Sequence, residues 1–387
     1  MKDSNITDNS FGRFVPTIGG QMAFAPNDLP PQLEWAPELI KALSDASHAI
    51  GQLHGIGLNL PNPNLLITPF IRREAELSSR IEGTQAELRD IYLFEMHEPA
   101  ARPDITDVRE VANYVLALEH GLKRCNELPV CLRMIKELHK ILLEGVRGES
   151  DRPGNFRTAQ NWIGSKGCPI EQASYIPPPP EHIMMCLDAL EKFLNVPIGN
   201  IPMLAWLAMI HYQFEAIHPF RDGNGRIGRL LIVLLLCAHK VLDKPLLYLS
   251  AYFERNRQEY YNRLLRVSTH GEWVSWFMFF LRGITEQSTD AFRRSRELLQ
   301  LQSKYHSMIK SKRSALQIKI VDLLMERPVL TIPYVGRHFN VTYVTARNNI
   351  VKLVKAGILK EAIGSKRCKV YLAEEVLEII NRPFFMG

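Results

Sequence analysis

The stretch "HYQFEAIHPFRDGNGRIGRLLIVLLLCA", His211 to Ala238, decides the fold. Its first seven residues end an apolar-striped segment that begins at Met203, with the 3.6-residue period of a helix. Pro219 disfavours helical geometry at His218, so that helix stops there. "RDGNG" is turn chemistry, and "RIGRLLIVLLLCAHKVL" reads as a second, strongly apolar helix. Two buried helices are thus joined by a short loop that feeds a helix N-terminus.

Outward from this unit, helical periodicity dominates. Ala36 to Leu53, Pro69 to Glu95, Asp107 to Lys123, Val130 to Glu144 and Pro180 to Leu194 carry apolar stripes, and a helical block runs from Arg255 to Gln302. Residues 1 to about 35 read as irregular, and strand-like alternation is scarce before the C-terminal end. One interruption, residues 154–180, holds too many Gly and Pro for a helix. Its "NWIGSKGCPIEQASYI" reads as two short extended arms around a Gly-rich turn, and four prolines lead into the next helix. The last segment has a different character. "TIPYVGRHF" and "TYVTARNNIVKLVKAGIL" form two helices, followed by "KEAIGSKRCKVYLA", a hairpin around Gly364-Ser365, which together describe a winged helix-turn-helix. The fold class expected is mainly α, a helical bundle with a small β-hairpin and this C-terminal addition.

Composition narrows the function classes. The 387 residues are 46% hydrophobic, enough for two or three domains with substantial cores. "MKDSNITDNS" lacks the apolar centre of a signal peptide, and the longest apolar run, Leu230 to Ala238, is about half a membrane span. A soluble, cytoplasmic protein with no membrane partner is expected. Cys125, Cys131, Cys168, Cys186, Cys237 and Cys368 are scattered, and no histidine spacing matches a zinc site. Charge is uneven: Leu301 to Val370 carries fourteen Lys and Arg against three Asp and Glu, a balance of +11, so the rest of the +6 chain is about −5.

The loop has a chemistry of its own. Gly223 and Gly225 allow close backbone approach at a helix N-terminus, where N–H groups and the helix dipole favour an anion. Arg226 and Arg229, three apart, oppose that dipole unless they face phosphate, which guanidinium forks match. Asp222 would repel bare phosphate but can hold a bridging Mg²⁺. His218 titrates near working pH and can take a proton from an attacking hydroxyl. A polyphosphate cradle, a metal ligand and a general base make a nucleotidyl- or phosphoryl-transfer site.

"HPFRDGNGRIGR" matches the pattern H-x-F-x-[DE]-G-N-G-R-x-x-R without a departure, and "RPGNFRTAQNWIG", "SYIPPPP", "HYQFEAIHPF" and "LYLSAYFERNRQEYYNRLL" extend the likeness. On these motifs the chain resembles the Fic family of protein adenylyltransferases over most of 65–290. The resemblance implies an N-terminal Fic-associated region over 1–105, a Fic catalytic domain over 106–295 and the winged helix over 305–380. It implies AMP transfer from ATP, with Mg²⁺, to a Ser, Thr or Tyr hydroxyl of a target protein. His218 would be the general base and Phe220 an apolar anchor. Asp222 would ligate Mg²⁺, Asn224 and the Gly223 and Gly225 amides would hold the α- and β-phosphates, Arg226 the β- and Arg229 the γ-phosphate. Gly228 belongs to the same cofactor-binding set, Asn256, Tyr260 and Tyr261 lie on the adenine side, and Ile163 to Tyr175 resembles the flap that aligns the target backbone.

"SSRIEG", Ser78 to Gly83, fits that family's inhibitory pattern [ST]-x-x-x-E-[GN]. Ser78 and Glu82 share a helix face, Gly83 reduces bulk beside the glutamate, and a bidentate Glu82–Arg229 pair would occupy the group meant for the γ-phosphate. Ser79-x-x-Glu82 also reads as a capping box, but the apolar pattern upstream disfavours a helix start at Arg80.

In the C-terminal unit, Thr342 to Ala356 would be a recognition helix presenting Thr345, Arg347, Asn348 and Asn349 to DNA. Such units also serve protein docking and dimerisation, so a homodimer is a second expectation. Alternatives to AMP transfer from ATP are another donor, removal of AMP, or a DNA-binding regulator whose Fic part only senses nucleotide.

Overall fold

The computed structural model describes residues 11–58, 62–96, 105–149, 152–165, 167–309, 315–362 and 369–383. It opens on a hairpin, β1 (Gly12–Pro16) antiparallel to β2 (Met22–Pro26), with Gly12 opposite Pro26. This corrects the irregular N-terminal stretch expected from sequence. The hairpin is held by what it packs on rather than by alternation: β2 is buried along most of its length, Phe14 and Phe24 meet edge-on at 5.4 Å, and the Phe24 N–H donates to the Ile176 carbonyl.

Helices follow. α1 (Pro37–Leu58) precedes α2 (Asn64–Ile81) and α3 (Leu88–Glu95). The single helix expected from Pro69 to Glu95 is therefore two. Gly83, at φ +98°, ends the first in a conformation that L side chains resist. α4 (Ile105–Arg124), α5 (Leu132–Leu142), a 3₁₀ turn (Ile170–Gln172) and α6 (Pro180–Asn195) lead to α7 (Met203–Ile217) and α8 (Asn224–Ala238). These last two are buried on almost every side, which is why their apolar residues run continuously instead of as a stripe. The remaining helical block is α9 (Ser250–Arg255), α10 (Arg257–His270) and the 36-residue α11 (Trp273–Met308), broken at Gly271 (φ +67°). α11 lies along α1 and against α7, closing one core. Between α5 and α6, Ile163 and Tyr175 form one antiparallel bridge, the two arms read from the Gly-rich interruption.

The C-terminal unit runs α12 (Ala315–Glu326), β3 (Val329–Thr331), α13 (Ile332–Phe339), α14 (Tyr343–Lys355), β4 (Lys360–Ala362), β5 (Val370–Leu372) and α15 (Glu374–Asn381). Its sheet is antiparallel in the order β3-β5-β4, with Lys360 opposite Leu372 and Ala362 opposite Val370. The Gly364-Ser365 turn lies outside the described residues. The α13–α14 turn follows local chemistry: Asn340 takes the left-handed region, and the Thr342 side chain accepts from the Thr345 N–H.

This unit is joined to α2. Glu95 accepts from Arg72 of α2 at 2.8 Å and pairs with Arg327, just after α12, at 2.9 Å, while Asn62 donates to Glu326 at 3.0 Å. Among the described residues no helix is long and apolar enough to cross a membrane. Because Arg72 is buried, Glu95→Gln should lower unfolding free energy by roughly 2–4 kcal/mol, whereas Glu259→Gln, in an exposed pair with Arg263, should cost under about 0.5 kcal/mol. Urea denaturation of the two variants checks this.

Candidate active site

The loop between α7 and α8 is strained and held from several sides. His218 caps α7 at φ +49°, ψ 59°, a region a side chain with a Cβ rarely adopts. Arg157 holds it: its Nε donates to the His218 carbonyl at 2.9 Å, Nη1 to Ala159 at 3.2 Å and Nη2 to Pro178 at 2.5 Å, and its own N–H bonds the Pro219 carbonyl. Burial pushes this guanidinium down to about 10. Asn161 donates to the Phe220 carbonyl at 3.0 Å, and Tyr175 donates to Ala216 at 2.8 Å.

Phe220 is fully buried, stacked on His139 with ring centroids 3.7 Å apart and planes 6° apart. The His139 Nδ1 accepts from the Gly154 N–H, so its proton sits on Nε2 and is donated to the Asp222 carbonyl at 2.9 Å. Burial lowers His139 to about 4. The sequence reading identified neither Arg157, Asn161 nor His139 as site residues. Each acts through backbone carbonyls or a ring stack that no spacing encodes.

Asn224 was expected to hold phosphate, but its side chain is occupied at both ends by Phe220, accepting from the N–H and donating to the carbonyl, each at 2.8 Å. What it can offer an anion is its backbone N–H, which with that of Gly225 belongs to the open first turn of α8. Gly223, at φ +79°, turns the chain into that helix. Arg226 is buried; it donates to Glu110 of α4 and to the Asp222 carboxylate, both at 3.3 Å. Glu110, which also accepts from Thr84 at 2.9 Å, is a further residue the sequence reading missed.

Arg229 reaches the other way, to α2. Its Nε donates to the Ser78 hydroxyl at 2.9 Å, and its Nη2 donates to the Ser78 carbonyl at 2.9 Å and to Glu82 Oε1 at 2.6 Å. Burial alone would raise the Glu82 carboxyl, but the Arg229 charge and hydrogen bond outweigh it and hold it below the usual range. Ser79 lies inside α2, so it caps nothing, in keeping with the apolar pattern upstream. Two details of the "SSRIEG" reading need correction. The pair with Glu82 uses one nitrogen and one oxygen, and that nitrogen, Nη2, also donates to the Ser78 carbonyl while Nε donates to the Ser78 hydroxyl. A Cβ on Gly83 would meet nothing within 4 Å, so this glycine is needed for its φ and not for space.

His218, Glu82, Gly225, Arg229 and Tyr261 line one cavity of about 570 Å³. The His218 Nδ1 faces the Glu215 carbonyl at 3.3 Å, so a proton there leaves the Nε2 lone pair unprotonated. Burial and Arg157 lower His218 to about 4, which keeps it neutral near pH 7. Glu215, in the same cavity, is pushed up to about 7 by burial.

Of the three residues placed on the adenine side, only Tyr261 lines the cavity. Asn256 is turned to the Tyr252 carbonyl, and the Tyr260 hydroxyl meets His211 at 2.7 Å in the core. Along α10, Arg257, Gln258, Tyr261 and Asn262 line the cavity, while Tyr260 turns off that face into the core. Gly228 also faces inward, where a Cβ would stand 2.3 Å from Glu215.

The family model described as Fic/DOC family N-terminal matches residues 40–123, and that described as Fic/DOC family matches 129–236. The chain belongs to the Fic family. Protein adenylyltransferase Fic of Drosophila grimshawi is 27% identical over 186 residues, 46% of this chain and 35% of that protein; its Drosophila melanogaster counterpart is 26% identical, covering 46% and 34%. This Fic protein thus spans about a third of the length of the curated relatives it matches. A Fic family protein from Desulfovibrio desulfuricans G20 shares the fold at TM-score 0.57 and 18% identity, over 89% of this chain and 98% of that one. Fic-1 from C. elegans does so at 0.51 and 21%, over 68% and 75%.

Two predictions follow from the site. Replacing Gly83 by Ala should cost about 1 kcal/mol or more in urea denaturation, as φ +98° is unfavourable with a Cβ. His139, His211 and His218 are lowered to about 4, 3 and 4. Between the ordinary histidine value near ~6.5 and these folded values, the unfolded chain binds protons that the folded chain does not. Stability is therefore greatest above about pH 6.5 and falls as pH drops towards about 4. A His139→Gln variant should lose about one proton from that slope.

Proposed function

We propose that this Fic protein transfers AMP from ATP to hydroxyl side chains of proteins, itself included, and that Glu82 restrains the reaction by holding Arg229. The observation that carries the reading is the ion pair between Glu82 and Arg229 at 2.6 Å, in the cavity that also holds His218 and Gly225. An arginine buried on α8 would answer a terminal phosphate, and a carboxylate already on it displaces that phosphate from its aligned position. Misalignment of this kind costs orders of magnitude in rate.

In the reaction, the target hydroxyl oxygen attacks the α-phosphorus as the bond to the β-phosphate breaks and pyrophosphate leaves. Neutral His218 takes the hydroxyl proton on Nε2. The first-turn N–H groups of α8 and Arg226 would face the α- and β-phosphates, with Arg229 at the γ-phosphate. The Asp222 carboxylate, about a third exposed, fits one ligand position of a Mg²⁺ that arrives with the nucleotide, and among the described residues no group of three His, Cys, Asp or Glu builds a protein-only cage. When bound, the ion would neutralise phosphate charge.

The C-terminal unit we read as a winged helix-turn-helix. Thr345, Arg347 and Asn348 are exposed at the start of α14, as a DNA-reading helix requires, while Asn349 is engaged by Gln317 and the Thr345 carbonyl. Tyr343 and Val344 beside them are exposed too, an apolar pair a homodimer would cover. Duplex affinity that falls steeply with salt supports the first, and a dimer by sedimentation that Val344→Asp dissolves supports the second.

With α-labelled ATP and Mg²⁺, Glu82→Gly should raise label incorporation at least about ten-fold, and adding His218→Ala should remove at least about a hundred-fold of it. Label from γ-labelled ATP or from UTP in place of α-labelled ATP, or unchanged rates in Glu82→Gly, would overturn this reading.

A further inference from the structure

A second cavity lies on the outer side of the bridged arms. It measures about 1070 Å³ and is lined by Lys136 of α5, by Arg152 and the chain through Trp162, and by Arg221 of the α7–α8 loop. Trp162 is common to this cavity and the His218 cavity, is 42% exposed, and directly precedes the bridge residue Ile163. A polypeptide lying along the bridged arm with a hydroxyl at His218 would therefore continue into the second cavity.

Among the described residues its charge is of one sign: Lys136, Arg152, Arg157 and Arg221 line it, and no carboxylate does. Two other surface cavities mix signs, as a solvated surface does: Asp45, Glu259 and Glu286 with Arg263 and Arg282 in one, Asp28 and Asp188 with Arg13 and Lys192 in the other. The contrast is sharper because the chain outside Leu301–Val370 carries about −5 overall. Arg157 is committed to backbone carbonyls and supplies only its field, whereas Arg152 stands exposed at the rim. Lys136 sits 5.2 Å over the Phe156 ring, which keeps its ammonium on the cavity side of α5.

We propose that this basic cavity docks an acidic segment of the protein whose hydroxyl is modified, so that the preferred target carries Asp or Glu a few residues from the modified side chain. The proposal rests on the AMP-transfer reading for its context, but docking itself is a binding event. It uses the rule that single-sign clefts select and steer opposite charge. A peptide fits better than a nucleic acid because the cavity opens beside an arm suited to strand-like pairing and an exposed Trp.

The test is fluorescence anisotropy with fluorescein-labelled hexaglutamate, hexalysine and a phosphoserine hexapeptide on the full chain. Hexaglutamate should bind, weaken with salt, and lose at least about ten-fold in affinity in Arg152→Glu and in Lys136→Glu, each shown folded by its melting temperature. Hexaglutamate binding that both variants retain, or hexalysine binding as tight, overturns the proposal. Tighter binding of the phosphoserine peptide overturns it in favour of a phosphate site. In the Glu82→Gly background with α-labelled ATP, a Tyr peptide flanked by glutamates should receive AMP at least about ten-fold faster than its lysine-flanked counterpart. Equal rates with self-modification intact sink the docking inference alone. Loss of all transfer with charge-selective binding intact sinks the AMP-transfer reading and leaves the acidic docking site standing.

Discussion

Arg229 carries a permanent positive charge on a buried helix, and the rest of the site depends on how that charge is met. Left without an anion it would cost several kcal/mol, so something must sit opposite it. In this structure the anion is Glu82, delivered at the end of α2 and assisted by the Ser78 hydroxyl and carbonyl. In the proposed reading the same requirement makes Arg229 a partner for a terminal phosphate, so that one guanidinium would have two competing anions, one of them part of the chain. Arg226, three residues earlier, does not pair with Glu82; Glu110 and Asp222 meet its Nη1 and Nη2 groups.

The proposed competition requires that α2 be held in place, and it is held along its length. Glu74, one turn before Ser78, accepts from the Ser250 N–H at 3.0 Å and from the Ser250 hydroxyl, with the Tyr114 hydroxyl at 3.3 Å. Burial raises its pKa in spite of these bonds. Arg72, near the middle of the helix, meets Glu95, which also meets Arg327 at the edge of the C-terminal unit. Helix α2 is therefore continuous, through side-chain contacts, with α9, α4 and the C-terminal unit.

The geometry of the α7–α8 loop depends on a different kind of constraint. His218 occupies a left-handed backbone conformation, and the strain is balanced by groups that grip its neighbours by their carbonyls: Arg157, Asn161, Tyr175, His139 and the side chain of Asn224. A loop held through its backbone keeps its side chains oriented before any ligand arrives, which is what proton transfer at a fixed distance demands. The depressed pKa of His218 follows from the same burial and keeps the imidazole neutral, as the proposed proton transfer requires.

The sequence by itself determined the helix–loop–helix at His211 to Ala238, the glycine-bearing turn at its helix N-terminus, and the shared helix face of Ser78 and Glu82, while the partner of Glu82 was named only by the family resemblance. These are local properties: proline ends a helix, glycine permits a tight turn, and four-residue spacing puts two side chains on one face. It did not determine which side of a residue meets the cavity. Asn224, Tyr260, Asn256 and Gly228 have the right positions in the motif but face Phe220, His211, Tyr252 and Glu215. It also hid Arg157, His139 and Glu110, which lie 61, 83 and 116 residues from their partners. Only the tertiary structure decided those contacts, because a hydrogen bond to a backbone carbonyl or a ring stack leaves no periodic trace in the chain, and the N-terminal hairpin exists by virtue of the helices it rests on.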